Sequence, residues 1–99
     1  MQLTIQSINF DADEKLQGYV TKKTEKLSRF FDRITGGQVY LKISKPQSHN
    51  NKIVEIKLNV PGTTLIASEQ ADTFEAATDI VTDKLQVQLT RHKEKVKSH

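Results

Sequence analysis

Residues 52–67, KIVEIKLNVPGTTLIA, decide the fold. Val54, Ile56, Leu58 and Val60 alternate with Glu55, Lys57 and Asn59, and a period of two marks a strand with one buried face and one wet face. Pro61-Gly62 reads as a tight turn, type II with glycine at the position of positive φ. Leu65 to about Gln70 forms the returning strand. Only one face of this hairpin is apolar, so another layer of the chain must cover that face.

The same alternation extends upstream. Val39, Leu41 and Ile43 alternate with Tyr40, Lys42 and Ser44, and Pro46-Gln47-Ser48-His49-Asn50-Asn51 reads as a polar hairpin loop. Residues 2–10 put Leu3 and Ile5 on one face and Thr4, Gln6 and Ile8 on the other. Leu16, Val20, Leu27 and Phe31 follow a helical period, which predicts a helix from about Glu14 to Arg33. Asp11 or, better, Asp13 caps it, and Gly36-Gly37 ends it. Asp72 or Thr73 caps a second helix running into the tail, where Lys97-Ser98-His99 fray. The order is β-α-β-β-β-α in a single α+β domain over residues 1–99. The expected architecture is a four-stranded sheet with both helices on one face. Consecutive hairpins make an antiparallel meander, and the strand–helix–strand connection lets the first strand pair parallel with a neighbour.

Composition narrows the function. The chain has 99 residues, 35% of them hydrophobic, and no cysteine; disulfides, thiol chemistry and zinc-cysteine clusters are excluded. No apolar run approaches the roughly 18 residues of a membrane span, and the N-terminus alternates rather than resembling a signal peptide. The expectation is a soluble cytoplasmic protein with no membrane partner.

The net charge of +3 is unevenly spread. On a helix advancing 100° per residue, Lys15, Lys22, Lys26, Arg29 and Arg33 fall within an arc of roughly 60°. Glu14, Glu25 and Asp32 share a different face. On the second helix, Lys84, Gln88, Arg91 and Lys95 form another stripe. Acids at a helix start and bases at its end also suit the macrodipole, which accounts for part of the pattern. Stacking like charges over several turns still forgoes the stabilisation of opposite i,i+4 pairs, and it points to a polyanion.

Catalytic constellations are missing. There is no phosphate loop, no G-x-G-x-x-G, no H-E-x-x-H and no cysteine nucleophile. His49, His92 and His99 fall in a loop, on a helix and at the terminus; His92, on the Leu85/Leu89/Val96 side, reads as a half-buried packing residue. Asp79 and Asp83 at i,i+4 read as a solvated face before they read as a metal pair. Phe30, Phe31 and Phe74 sit at core spacing, which leaves Tyr19 and Tyr40 as the candidates for stacking on a base.

Asp83-Lys84-Leu85-Gln86-Val87-Gln88-Leu89-Thr90-Arg91-His92-Lys93-Glu94-Lys95-Val96-Lys97 resembles the D-K-L-x-R-Q-L-x-K-H-K-x-K ending of the ribosome hibernation-promoting family. That family includes the ribosome-associated translation inhibitors, once labelled sigma-54 modulation proteins. Met1 to Ile5, Tyr19-Val20, Lys26-Leu27, Phe31-Asp32-Arg33-Ile34 and Asp72 to Asp79 are similar to the family along essentially the whole chain. The resemblance implies a fold similar to double-stranded RNA-binding domains. It also implies binding to the small ribosomal subunit and its rRNA, in the channel for mRNA and tRNA anticodon arms, and translation silenced by occlusion in stationary or nutrient-poor cells. With the catalytic constellations missing, the expectation is no enzyme activity, cofactor, metal or small-molecule substrate, and a monomer when free. Lys22, Lys26 and Arg29 on the first helix, with Lys84, Arg91, Lys93 and Lys95 on the second, stand at the family's rRNA-binding positions; Arg33 and Gln88 join them from the two stripes. Val87 replaces an expected arginine and Glu75 an expected tyrosine. Ending at His99, the chain resembles the short form, without the C-terminal domain by which long members pair ribosomes. The alternative is a protein-interaction regulator whose basic faces meet an acidic partner, such as a transcription factor.

Overall fold

Strand and helix periods become elements close to where they are expected. The computed structural model describes residues 1–45 and 49–97, with side chains as far as residue 95. The chain runs β1 (Gln2–Ile8), α1 (Glu14–Glu25), a 3₁₀ turn (Lys26–Arg29), β2 (Gly36–Ile43), β3 (Lys52–Val60), β4 (Thr63–Ala71) and α2 (Phe74–Lys97). The sheet order is β1-β2-β3-β4. β1 runs parallel to β2, and β2, β3 and β4 form the antiparallel meander. Asp13 caps α1 by accepting the Leu16 N–H at 2.8 Å, and Thr73 caps α2 through the Ala76 N–H at 3.0 Å. Gly62 takes φ +86° in the β3–β4 turn, a conformation that favours glycine. Positions 46–48 of the polar loop and Ser98-His99 lie outside the described residues. The loop's stem is closed by Ser44 N–H to Asn51 O at 2.9 Å and Asn51 Nδ2 to Lys45 O at 2.9 Å.

Both helices cover the same face of the sheet. Val39, Leu41, Val54, Ile56 and Leu58 are fully buried in one cluster with Val20 of α1 and Val81, Leu85 and Leu89 of α2. α2 lies over β4 and β3 with α1 beside it.

Two expectations need correction. The first helix does not reach Arg33: its α-helical part stops at Glu25, and Lys26–Arg29 winds as a 3₁₀ turn. The Lys26 N–H reaches both Lys22 O and Thr24 O. Thr24 Oγ1 donates to Val20 O at 2.7 Å, Ser28 Oγ to Glu25 O at 2.8 Å, and Phe30 N–H to Leu27 O at 3.0 Å. The Ser28 and Phe30 bonds close over three residues and replace the four-residue ladder, while the Thr24 hydroxyl competes for the Val20 carbonyl one turn earlier. The topology demands the early stop, because the Thr35 N–H already donates to Asn59 O at 2.9 Å at the head of β2. A helix through Arg33 would leave one residue for the passage into the sheet. Gly36-Gly37, read as a helix stop, instead opens β2 with both residues buried. A Cβ on Gly37 would lie 2.9 Å from Lys57 O and 3.0 Å from Leu58 Cδ2. The glycine is there for close strand approach.

Candidate nucleic-acid interface

Cations from α1, the 3₁₀ turn, the loop after it and α2 gather around the turn. Lys22, Lys26 and Arg29 border one shallow groove of about 530 Å³ on the outer side of α1, with Glu25 as its acidic member. Around the turn, Arg29 and Arg33 meet Lys93 of α2 at a second cleft of about 440 Å³, floored by Phe30 and Phe31 and carrying Asp32. Arg33, displaced from the helix by its early end, thus joins this cleft rather than the α1 stripe. Among the described residues, no hydrogen bond or ion pair holds the side chains of Lys22, Lys26, Arg29, Arg33 or Lys93.

The α2 stripe lies elsewhere. Lys84 and Lys93 are nine residues apart, about 180° around the helix, so the stripe faces away from the cleft, along β4. There Lys84 Nζ donates to Ser68 O at 3.2 Å and pairs with Glu69 Oε2 at 3.1 Å, while Gln88 Nε2 donates to Ile66 O at 2.9 Å. Both side chains cover carbonyls on the open edge of β4. The Gln70 backbone N–H first, and Lys84 second, hold the Glu69 carboxyl below its usual range. Lys84 and Gln88 therefore have a structural task that spacing did not reveal. Arg91 and Lys95 are exposed farther along the helix.

The aromatic residues are redistributed too. Phe31 and Phe74 are core residues, the latter stacked on Phe10 with ring centroids 4.9 Å apart. Phe30, expected in the core, is 37% exposed, because its neighbour Phe31 takes the inward position. Tyr19 is no free stacking surface. Its hydroxyl donates to Asp79 Oδ1 at 2.6 Å, tying α1 to α2. That hydrogen bond, then burial, then the charges of Asp79 and Glu75, push its pKa up to about 12. Lys23 Nζ joins Asp79 Oδ1 at 3.3 Å, so Asp79 serves the helix–helix contact. Tyr40 lies on the opposite sheet face under Lys57 Nζ, 5.5 Å from its ring centre. His92 is half-buried, edge-on to Phe31 at 5.3 Å, with Nε2 unpartnered. Glu75, in place of the expected tyrosine, is exposed, and the Phe10–Phe74 stack supplies the packing at that helix start. Val87, in place of the expected arginine, is 49% exposed. The signal missed was Phe30-Phe31 itself: two adjacent aromatics on one turn cannot both face inward.

A small α+β protein with one sheet face covered by two helices, and with unpaired cations on its helical side, is the class this geometry defines. The chain belongs to the sigma 54 modulation protein / S30EA ribosomal protein family, whose model matches residues 3–97. A ribosome hibernation promoting factor of Escherichia coli (strain K12) is 40% identical to it over 99 residues, covering 100% of both chains. The N-terminal domain of Protein Y from Thermus thermophilus is similar with a TM-score of 0.79 and 26% identity, over 93% of this chain and 99% of that one. A ribosomal subunit interface protein from Coxiella burnetii gives a TM-score of 0.85 over 95% of this chain and 99% of that one; at 24% identity this speaks for the fold alone.

Proposed function

We propose that this chain binds the small ribosomal subunit through its rRNA, in the channel used by mRNA and tRNA anticodon arms, and idles the ribosome by occupying that space. The protein acts as a cytoplasmic monomer by steric occlusion, without catalysis, cofactor, metal or small-molecule substrate. The observation that carries this reading is the unpaired group Lys22, Lys26, Arg29, Arg33 and Lys93, drawn from α1, the 3₁₀ turn and its following loop, and α2 onto the helical side of the fold. Charges without internal partners keep their full attraction for phosphate. Arg91 and Lys95, on the far side of α2, add a second region, and Lys84 and Gln88 hold that side of the helix against β4. The name of the 40% identical relative supports the ribosome as the polyanion.

The test is sedimentation with purified small subunits at low and raised salt, comparing the parent with Lys26→Glu/Arg29→Glu. Both residues are exposed, so the double variant should keep its stability to within about 0.5 kcal/mol for each change. The parent should co-migrate with the subunit, less so as salt rises, and the variant should not co-migrate. Undiminished binding by the variant would overturn the cation reading. Failure of excess generic RNA to compete would favour a dedicated protein partner.

A further inference from the structure

We propose that the cleft between the 3₁₀ turn and the C-terminal half of α2 takes one unpaired nucleotide of RNA. Its base stacks on Phe30, and its phosphate sits among Arg29, Arg33 and Lys93. This rests on the small-subunit reading and adds to it a base-contacting site.

The argument begins with the ring. Phe31 and Phe30 are adjacent, yet Phe31 is 6% exposed and Phe30 is 37% exposed. Phe30 thus keeps more than a third of its surface open to solvent, and it lines the concave surface. An exposed aromatic ring beside cations suits nucleic acid, because a base offers a flat π-face and its backbone a negative charge within the same few ångströms. The cleft, at about 440 Å³, lies within the ~300–1,000 Å³ typical of ligand clefts. Three cations face one acid, Asp32, and among the described residues none of the three has an ion-pair or hydrogen-bond partner that would compete with phosphate. Asp32 repels phosphate from its own side and so orients the nucleotide.

Duplex RNA does not fit this site. Bases inside a helix have both faces stacked, and only an unpaired or extruded base can present one to a side chain. The groove at Lys22, Lys26 and Arg29 has no aromatic member, so it suits phosphates alone. One fold thus carries two kinds of contact side by side, with Arg29 shared between them.

The chain has no tryptophan, so Phe30→Trp installs a single fluorescent reporter in the cleft. Titration with small subunits should quench its emission in step with co-sedimentation. Single-stranded oligoadenylate should quench it also, and the same strand annealed to oligouridylate should not. Phe30→Leu keeps an apolar side chain and removes the ring face. It should weaken small-subunit binding roughly 5- to 100-fold while leaving the salt slope unchanged. Arg33→Gln or Lys93→Gln should instead flatten that slope by about 0.7–0.9. Parental affinity in Phe30→Leu, or unchanged emission of Phe30→Trp during full co-sedimentation, would overturn the cleft and leave the small-subunit reading standing. Should the parent fail to co-sediment, the small-subunit reading falls. Oligoadenylate then decides the cleft alone, with quenching supporting it and unchanged emission overturning it.

Discussion

Tyr19 and Gly37 show how single atoms hold this fold. The Tyr19 hydroxyl, donating to Asp79 at 2.6 Å, is a charge-assisted bond between helices, so Tyr19→Phe should cost about 1–2 kcal/mol at neutral pH. Its pH dependence has a definite sign. The tyrosine's pKa is raised from 10.0 to about 12 in the folded protein, so the folded state holds this proton more tightly. The stabilisation is complete below pH 10 and is lost as pH climbs from 10 towards 12. Urea midpoints taken over that window should fall more steeply for the parent than for Tyr19→Phe; parallel curves would remove the Asp79 bond as the cause. At Gly37, an added methyl meets Lys57 O at 2.9 Å. Backbone cannot swing aside as a side-chain tip can, so Gly37→Ala should destabilise by about 1–3 kcal/mol. Gly62→Ala, strained by its positive φ of +86° but with open space around it, should be cheaper, at about 1 kcal/mol.

Among the elements, α2 divides its work by face. Leu85 and Leu89 are fully buried, and Leu85→Ala should cost about 2–5 kcal/mol. One position earlier, Lys84→Met should cost less than about 1 kcal/mol, because an exposed ion pair contributes little. Chemical denaturation of the two variants separates these roles, and equal losses would mean that the Lys84 contacts on β4 matter as much as the core. The elements were also where the sequence was most and least legible. Alternation placed three strands and the Pro61-Gly62 turn the fourth, while the caps are Asp13, the preferred candidate, and Thr73, one of two. The end of α1 was hidden, because Leu27 and Phe31 keep helical spacing through a segment that has already left the helix. Hydroxyl-to-carbonyl bonds and the early return to β2 decide that end, and neither shows as periodicity. The site was legible as charge. It was not legible as geometry: no spacing rule shows that Lys84 finds Glu69, fifteen residues away on another element, or that Lys93 finds Arg29 and Arg33.

For the molecule as a whole, the proposed function gives two basic regions on opposite sides of α2, and so more than one place for RNA to meet. Binding should therefore follow many phosphates together. The logarithm of affinity should fall linearly with the logarithm of salt, by about 0.7–0.9 for each phosphate engaged. Titrations at several salt concentrations test this, and a flat dependence would point to a partner recognised by shape rather than charge. The sheet has a further consequence, in time rather than space. α2 follows the whole sheet in the chain, yet Val81, Leu85 and Leu89 complete the core that β2 and β3 begin. While the chain is being made, its strands wait with their apolar face uncovered until that helix emerges. Lys93 arrives later still, so the cleft it shares with Arg29 and Arg33 does not exist on a nascent chain. The full cation group therefore forms only after the last turns of α2 have been made and packed.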